Sequence, residues 1–322
     1  MTRISVVIQT YRRADLLERC LDALATQTLE QTDYEVIVAD DAASKATREQ
    51  VGRWHECAPN VRYVAVTDGP RGPAAARNIG WRVASGAIVA FTDDDTIPAC
   101  DWLERAVARF DSGGVHAVSG RITVPLPPNP TDYERDAAGL EDAGFVTANC
   151  VVRRDVLESL GGFDERFARA WREDSDLYFR LLDGRYTVGH AEDVVVEHPV
   201  RPARWGASLQ QQCKASYDAL LYRKFPALYA RHVRPGRPTM YYPTVFALVA
   251  MLVGAAAKQR DVTIAGAIAW IGLTAWFAAK RLRGTSHDPR HVAEMVVTSA
   301  LIPPLSLFWR ATGALRFRVW FL

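Results

Sequence analysis

The sequence predicts an α/β fold built on a mainly parallel central sheet, and three observations carry that prediction. Short apolar runs of strand length alternate with amphipathic, helix-length segments over about the first 120 residues. Two of the apolar runs end in adjacent carboxylates, at Asp40 and at Asp93. After residue 237 the chain changes character and contains long uncharged stretches. Strands separated by helical segments form right-handed βαβ units, which give a mainly parallel sheet covered on both faces.

The elements of the first half follow from hydrophobic periodicity. Continuous apolar runs predict strands buried on both faces, and apolar residues at helical spacing predict helices between them. Gly86 is predicted to end the helix before the fourth strand, because glycine is favoured just after a helix. The predicted strands span residues 6–8, 34–39, 61–66 and 88–91, and the predicted helices include 16–24 and 74–85.

Polar groups follow three of these strands. Thr10 and Tyr11 come after the first, Asp40 after the second, and the triplet 93–95 (DDD) after the fourth. The carboxyl ends of parallel strands meet at one edge of a sheet, where ligands bind, and hard divalent cations there take carboxylate oxygens and substrate phosphates. The convergence predicts a nucleotide-diphosphate site, with an Asp-rich solvated turn as the alternative for the triplet taken alone.

Composition and motifs argue against several other classes. The formal net charge of +2 over 322 residues is too near neutral to indicate a nucleic-acid partner. Dinucleotide-binding and P-loop domains are disfavoured, because neither GxGxxG nor GxxxxGK[ST] is present. The five cysteines contain no CxxC pair, which argues for a reducing compartment and no structural metal. The N-terminus runs straight into the first strand without a targeting leader, so this part is expected in the cytoplasm.

The second half of the α/β region contains a further acidic pair. Residues 121–135 are proline-rich and are predicted to form an extended connector, followed by a strand over 145–152, a short helix over 155–160 and a tight turn. The next helix is predicted to start near Trp171 and to carry Glu173 and Asp174 in its first turns. Acids at a helix N-terminus are also favoured by the dipole, by about 0.3–1 kcal/mol each, which is the purely structural alternative.

The last third is predicted to form a membrane hairpin. Residues 238–257 and 262–279 are uncharged over about 20 and 18 positions, which is close to the length that spans a bilayer. Basic residues flank the pair on both sides, so the positive-inside rule places both ends in the cytoplasm. These residues are Arg231, Arg234, Arg237, Lys280, Arg281 and Arg283.

A third apolar stretch follows the hairpin. Residues 295–309 are predicted to form a short re-entrant or interfacial segment, and the tail 310–322 mixes arginines with aromatic residues as interfacial helices do. The alternative for all of these segments is that they are buried core helices of a soluble domain.

Six motifs, taken in chain order, resemble one family. They are residues 5–13 (SVVIQTYRR), 36–44 (VIVADDAAS), 72–78 (GPAAARN), 91–95 (FTDDD), 160–165 (LGGFDE) and 173–177 (EDSDL). The set resembles the family 2 glycosyltransferases with the GT-A fold over about residues 3–200. In the second motif Ala42 stands at the family's usual glycine. The resemblance implies a nucleotide-sugar-binding half over 1–120, an acceptor-binding half over 121–235, and a membrane hairpin with an interfacial C-terminal segment over 236–322.

The resemblance implies a donor pocket at the ends of the first strands. Asp40 would accept a hydrogen bond from the nucleotide base, in a pocket lined by Thr10 and Tyr11. Arg71 and Arg77 are assigned to the base or the diphosphate, with a surface helix charge as the alternative for each.

The resemblance also implies a metal site. Asp93 and Asp95 match the family's DxD pair, which holds a divalent metal, Mn²⁺ or Mg²⁺, against the diphosphate, and Asp95 is the better candidate for direct contact. Asp94 between them is assigned to donor binding. His198 is assigned to the metal, with a structural histidine as the alternative.

The acceptor side is assigned to the second half. Asp174 is the candidate general base, because inverting transfer needs a carboxylate that takes the acceptor hydroxyl proton opposite the leaving diphosphate. Glu173 is assigned to the same catalytic pair as a group that positions the acceptor. Gly162 and Trp171 are assigned to acceptor binding, with core or interface packing as the alternative for the tryptophan.

These assignments imply an inverting, metal-dependent glycosyltransferase. Its partners would be a nucleotide-diphosphate sugar and a lipid-linked saccharide or glycolipid, met at the cytoplasmic face of the cell membrane. One alternative is a polyprenyl-phosphate glycosyl synthase, whose phosphate acceptor needs no base. Others are a non-catalytic, membrane-anchored nucleotide-sugar-binding protein and a nucleotidyltransferase, although the last lacks its Gly-rich, Lys-containing loop.

Overall fold

The computed structural model describes residues 2–233 and 239–320, and the chain divides into two compact units. The first unit comprises Met1–Pro125 and Ala138–Val200, and the second comprises Leu126–Ala137 and Arg201–Leu322. Arg234, Arg237, the first residue of the predicted stretch 238–257 and the last two residues of the tail lie outside the described residues. The functional division at residues 120 and 235 stays a prediction.

Within the described chain, the strands form one mixed sheet in the first unit. They are β1 (Ile4–Thr10), β2 (Tyr34–Asp40), β3 (Val61–Ala65), β4 (Ile88–Asp93), β5 (Ile97–Pro98), β6 (Ala117–Thr123), β7 (Cys150–Arg153) and β8 (Val188–Glu197). Their order across the sheet is β3-β2-β1-β4-β7-β6-β8-β5. The first four are parallel to one another, as are β6 and β8, whereas β7 is antiparallel to β4 and β6, and β5 to β8. The predicted α/β fold is confirmed.

The sheet order creates a switch point beside β1. The chain runs outward from β1 through β2 to β3 and then returns to place β4 on the other side of β1. At such a reversal the connections leave in opposite directions, and a crevice opens beyond the carboxyl ends of the strands. In register, Thr10 pairs with Asp40, and Gln9 pairs with Asp93. The polar residues after β1, β2 and β4 therefore lie at one edge, as predicted.

Helices lie on both faces of this sheet, because successive strand residues point to opposite sides. Val6 and Ile8 pack in one core with Leu17, whereas Val7 packs in the other core with Trp81. The helices of the described chain are α1 (Ala14–Ala25), α2 (Lys45–Cys57), α3 (Pro73–Arg82), α4 (Trp102–Asp111), α5 (Asp132–Ala138), α6 (Arg154–Leu160), α7 (Glu173–Asp183), α8 (Ala207–Gln211), α9 (Ser216–Lys224), α10 (Pro226–His232), α11 (Tyr241–Ala256), α12 (Arg260–Leu282) and α13 (Pro289–Arg316).

The prediction that Gly86 ends α3 is wrong. The helix stops at Arg82, and Gly86 lies in the following loop. A Cβ atom at Gly86 would lie 2.8 Å from the backbone nitrogen of Ser5. Glycine is therefore needed here because the loop passes directly against β1, and not because a helix ends.

Two predictions between β6 and β7 also differ from the structure. The predicted strand over 145–152 is a 3₁₀ turn, Thr147–Asn149, followed by β7. The buried Asn149 amide donates to the backbone oxygens of Arg121 in β6 and Val194 in β8, which holds the backbone in this turn. The predicted connector over 121–135 is shorter, because β6 continues into it and α5 begins within it.

The second unit contains three apolar helices. By length and composition, α12 and α13 are each able to cross a membrane, whereas α11 has 16 residues. At 1.5 Å per residue α11 is about 24 Å long, which is less than a bilayer core of about 30 Å. The predicted short stretch 295–309 is part of the continuous 28-residue α13, which accommodates Pro303 and Pro304. The predicted segment 262–279 lies within the candidate span α12, whereas 238–257 corresponds to the shorter α11, and the second candidate span is α13.

Small residues let α11 and α12 approach closely. A Cβ atom at Gly254 would lie 2.8 Å from the backbone nitrogen of Thr263, and one at Gly266 would lie 2.6 Å from that of Met251. Glycines at helix contacts are typical of helix pairs in lipid. Large side chains such as Phe246 and Ile268 face outward and are 76% and 68% exposed. Buried core helices would not leave such side chains uncovered.

Candidate active site

Asp93, Asp95 and His198 form an acidic cluster at the edge of the sheet. Asp93 ends β4, Asp95 lies in the turn that follows, and His198 comes directly after β8. The antiparallel pairing of β5 with β8 sets Ile97 opposite Glu197 and so carries the histidine to this turn. One ligand atom from each of the three residues lies within 4.8 Å of the others, and His198 Nε2 is 3.6 Å from Asp95 Oδ1.

The donor set of this cluster fits a divalent cation. Two carboxylates and an imidazole are ligands that Mn²⁺ accepts, and the carboxylates also suit Mg²⁺. Burial raises the pKa of Asp93, but the nearby charges of Arg77 and His198 outweigh burial and hold the pKa below its usual range. An ionised Asp93 is ready to bind a cation. Metal binding by these three residues stays a prediction.

Asp94 does not join this cluster. Its buried carboxylate accepts hydrogen bonds from Thr10 Oγ1 at 2.7 Å and from Arg13 Nη1 at 3.1 Å. Burial raises its pKa to about 6, with Arg13 opposing and Asp95 adding to the shift. Asp94 therefore fastens the end of β1 to the acidic turn. The donor-binding roles of Asp94 and Thr10 stay predictions.

Asp40 organises the turn after β2. Its buried carboxylate accepts from the backbone nitrogens of Ala42 at 2.8 Å and Ser44 at 2.7 Å, and from the Tyr63 hydroxyl at 3.0 Å. The left-handed residue of this turn is Ala43, with a φ of 49°, so Ala42 does not need the family's usual glycine. Asp40 Oδ1 makes one of these bonds and Oδ2 makes two. Base recognition by Asp40 stays a prediction.

Two residues that were predicted to bind the nucleotide-sugar donor lie near the protein surface. Tyr11 is 49% exposed directly after β1, and the Arg12 guanidinium lies 5.5 Å from the centre of its ring. Arg71 is exposed, and its Nη1 donates to the backbone oxygen of Asp41 at 2.7 Å. Both are therefore placed at the edge of the sheet that carries the acidic residues. Their contacts with a donor stay predictions.

Arg77 is a deeply buried charge at the centre of the contacts between β4 and α7. It lies on α3, is 1% exposed, and donates from Nη2 to Asp93 Oδ1 at 2.7 Å and from Nη1 to Glu173 Oε1 at 3.1 Å. A surface helix charge, the alternative considered for it, is excluded by this burial. One guanidinium thus joins Asp93 of the acidic cluster to the acidic pair of α7, and its contact with a donor stays a prediction.

Glu173 and Asp174 open α7, where the free backbone N–H groups favour acids. Glu173 Oε2 is buried without a hydrogen-bond partner among the described residues. Burial, with the neighbouring Asp174, raises the pKa of Glu173 to about 7. Burial also raises the pKa of Asp174, against the opposing hydrogen bond from the Ser175 backbone. Carboxyl groups with raised pKa values suit proton transfer near neutral pH. Their catalytic roles stay predictions.

Gly162 and Trp171 frame the segment before α7. Gly162 has a φ of 74°, and a Cβ atom there would lie 2.4 Å from both Asn78 Oδ1 and Trp81 Nε1, so the turn packs directly on α3. Trp171 is 36% exposed and lies 4.6 Å from the Arg172 guanidinium. Acceptor binding by Gly162 and Trp171 stays a prediction.

Asn78 is a site-building residue that sequence reasoning missed. Its amide donates to the Phe163 oxygen at 2.9 Å and to Glu165 Oε1 at 2.8 Å, and its Oδ1 accepts from the Phe163 nitrogen. The signal was present, because Asn78 closes the motif 72–78 and follows Arg77. Its role depends on which loop packs on α3, and a single sequence does not give that contact.

Comparison with known families gives two matches. A model described as glycosyl transferase family 2 matches residues 5–161. A second, described as glycosyl transferase family group 2, matches residues 88–279, which is more than half of the chain. Both matches include the acidic triplet at the end of β4.

Similar proteins include enzymes from archaea and bacteria. Glycosyltransferase AglE of Haloferax volcanii is 32% identical over 220 residues, which cover 65% of this chain and 70% of AglE. Validoxylamine A glucosyltransferase of Streptomyces hygroscopicus subsp. jinggangensis is 28% identical over 215 residues, covering 55% of this chain and 51% of that protein. The chain thus spans about half the length of the second relative.

A solved structure matches nearly the whole chain. It is the mannosyltransferase PcManGT from Pyrobaculum calidifontis in complex with GDP-Man and Mn²⁺. The TM-score is 0.57 at 25% sequence identity, and the match covers 98% of this chain and 87% of that one.

Proposed function

Because the chain belongs to glycosyltransferase family 2 and therefore transfers a sugar from a nucleotide sugar, we propose that it is an inverting, metal-dependent enzyme. Its acceptor is the hydroxyl of a lipid-linked saccharide or a glycolipid at the cytoplasmic face of the cell membrane. The observation that carries this proposal is the joining of the acidic cluster, Asp93, Asp95 and His198, to the carboxyl pair of α7 through Arg77.

Asp93, Asp95 and His198 would hold the divalent cation. When bound, the cation supplies positive charge beside the diphosphate, where negative charge develops as the nucleoside diphosphate leaves. The protein supplies this position by the pairing of β5 with β8, which keeps His198 near Asp95. PcManGT binds Mn²⁺ and a nucleotide sugar with a similar fold, which supports a metal of this class.

Asp174 is assigned as the general base. Both hydrogen bonds from Ser175 end on Oδ1, so Oδ2 is the oxygen that would take the acceptor proton. As that proton leaves, the acceptor oxygen bonds to the anomeric carbon, and the bond from this carbon to the diphosphate oxygen breaks on the opposite face. The configuration at the anomeric carbon inverts. Glu173 is assigned to holding the acceptor through its unpartnered Oε2.

The donor is assigned to the edge formed by β1, β2 and the start of α3. Asp40 Oδ1 makes a single hydrogen bond and has a lone pair for the imide N–H of a pyrimidine base. Thr10 and Tyr11 would flank the base, and Arg71 would approach the diphosphate.

The apolar helices support a membrane-bound acceptor. Large outward-facing side chains on α11, α12 and α13 offer surface that a bilayer would cover. An enzyme held at the membrane meets a lipid-linked acceptor at high effective concentration. Attachment to the membrane therefore favours transfer to lipid-linked saccharides over transfer to soluble ones.

The test is nucleoside-diphosphate release by the detergent-solubilised protein. UDP-, GDP- and dTDP-sugars are each supplied with Mn²⁺, Mg²⁺ or EDTA, with and without a bacterial lipid extract. Release that requires one donor and a metal, and that rises with lipid, supports the proposal. Equal release with EDTA would contradict the metal site. Equal release without lipid, with sugar passed to a soluble saccharide, would contradict the lipid-linked acceptor.

A further inference from the structure

Arg77 shares one guanidinium between two carboxylates from the two separate segments of the first unit. Nη2 binds Asp93 of β4, and Nη1 binds Glu173 of α7. The side chains of Arg77 and Glu173 are 1% and 4% exposed, so water screens their attraction little. The Arg77 bridge, meaning the chain Asp93–Arg77–Glu173, is thus a strong electrostatic link between two groups distant in sequence.

The backbone that carries Arg77 is fixed on both sides. A Cβ atom at Gly80 would lie 2.4 Å from Val7 Cγ1, so α3 lies tightly against β1. Asn78, the next residue, is hydrogen-bonded to both backbone groups of Phe163 and anchors the loop that leads toward α7. The guanidinium therefore has little freedom to follow either carboxylate, and a change at one is passed to the other.

We propose that Arg77 is a positioning residue that couples the metal cluster to the carboxyl pair of α7. Arg77 Nη2 donates to Asp93 Oδ1, so the negative charge that Asp93 offers a cation depends on how strongly Arg77 pairs with it. Glu173 divides the charge of Arg77, so that Asp93 keeps more of its own charge for that cation. This inference rests on the proposed metal site.

Two consequences distinguish coupling from a general structural role. If Glu173 is made neutral, Arg77 pairs with Asp93 alone and competes more strongly with the metal. Metal affinity then falls, although Glu173 is not a ligand. Lysine does not replace Arg77, because one ammonium group lacks the two separate Nη donors that reach two carboxylates.

The experiment measures Mn²⁺ affinity by electron paramagnetic resonance of the detergent-solubilised full chain, without donor. A pH of 8 keeps Glu173 ionised. Glu173→Gln is expected to weaken Mn²⁺ binding about five-fold, whereas Asp174→Asn, which removes a neighbouring charge outside the bridge, changes it less than about two-fold. In an Arg77→Lys background, Glu173→Gln is expected to have no further effect.

Arg180→Lys is the control for changing a half-buried, ion-paired arginine of the same unit. Arg180 pairs with Asp176 at 2.8 Å within α7 and does not contact the metal cluster. The Arg180→Lys variant is expected to have a lower unfolding temperature and an unchanged Mn²⁺ affinity. If Arg77→Lys does not fold, the Mn²⁺ affinities of Glu173→Gln and Asp174→Asn still test whether Arg77 couples the two sites.

The outcomes separate this inference from the proposed function. No Mn²⁺ binding by the folded wild-type protein would overturn the metal site, and the coupling with it. Wild-type binding that Glu173→Gln leaves unchanged would overturn the coupling alone. If Glu173→Gln and Asp174→Asn weaken Mn²⁺ binding equally, the cause is the loss of any nearby negative charge. That result would also overturn the coupling.

Discussion

Each unit of this protein contains an arginine whose side chain is largely shielded from solvent and paired with a carboxylate, and the two arginines are used differently. Arg77 in the first unit holds two carboxylates, and its Nε has no hydrogen-bond partner among the described residues. Arg281 in the second unit holds Asp132 at 2.6 Å and donates to the hydroxyls of Thr298 and Ser299. The first arginine is shared between acids, whereas the second binds one acid and neutral groups.

The difference lies in the balance of charge around each arginine. Arg281 is hydrogen-bonded to one carboxylate, that of Asp132, and also donates to the hydroxyls of Thr298 and Ser299. Around Arg77 the carboxylates of Asp93, Asp95, Glu173 and Asp174 outnumber the basic groups. Excess buried negative charge is costly unless a cation binds or a proton is taken up. The first region is therefore suited to binding and proton transfer, and the second is suited to stability.

Loss of the candidate base is expected to have the largest effect. Asp174→Asn should lower the turnover number by about 10²–10⁴-fold, because the acceptor proton then has no carboxylate to receive it. The measurement is nucleoside-diphosphate release at saturating donor. Asp183→Asn, at an exposed carboxylate of the same helix, is the control and should retain turnover. Retained turnover in a folded Asp174→Asn would favour a phosphate acceptor, which needs no base.

Loss of a metal ligand should come next. Asp95→Asn is expected to lower kcat/KM about a hundred-fold and to raise the Mn²⁺ concentration needed for half-maximal activity, because one charged ligand is lost. A Mn²⁺ titration of activity measures both effects. Glu192→Gln, at an exposed carboxylate of β8, is the control. An unchanged Mn²⁺ requirement in Asp95→Asn would exclude this residue as a ligand.

Breaking the pair in the second unit should affect stability alone. Asp132→Asn leaves Arg281 without its carboxylate and is expected to lower the free energy of unfolding by about 2 kcal/mol. This is less than for a fully buried pair, because Asp132 is 23% exposed. Denaturant unfolding in detergent measures it, and kcat per folded enzyme should stay at the wild-type value. Arg109→Gln, in an exposed pair with Asp193, should cost far less.

The smallest effect concerns pH. The pKa of Glu173 rises from 4.5 to about 7 on folding, so the folded state binds this proton more tightly than the unfolded state. The stability it contributes is complete below about pH 4.5 and is lost as the pH rises through about 7. Glu173→Gln should flatten the fall in unfolding free energy between pH 5 and 7, measured by denaturant titration. An equally steep fall in the variant would assign it to another group.

The sequence was sufficient to predict which polar residues meet at the edge of the sheet. Parallel strands place their carboxyl ends together, so Thr10, Asp40 and Asp93 converge without knowledge of packing. His198 was assigned to the metal although a histidine after a strand is more often structural, and the pairing of β5 with β8 places it beside Asp95.

The sequence was not sufficient where the burial or the partner of a side chain depends on a contact between residues distant in sequence. Arg77 looks like any arginine on a short helix, and its burial depends on the loop and helix that cover α3. The same holds for Asp94, because alternation along the turn does not show which of three carboxylates faces Arg13. The continuity of α13 through two prolines was also missed, because proline is usually read as a helix end.

The measurement that tests the central assignment most directly is the anomeric configuration of the product. The wild-type protein is supplied with the donor, metal and acceptor that support release, and the anomeric configuration of the newly formed glycosidic linkage is determined by NMR. Attack by a hydroxyl activated by Asp174, opposite the leaving diphosphate, predicts a configuration inverted from that of the donor. A product with the donor's own configuration would contradict the assignment of Asp174 as the base of a single inverting step.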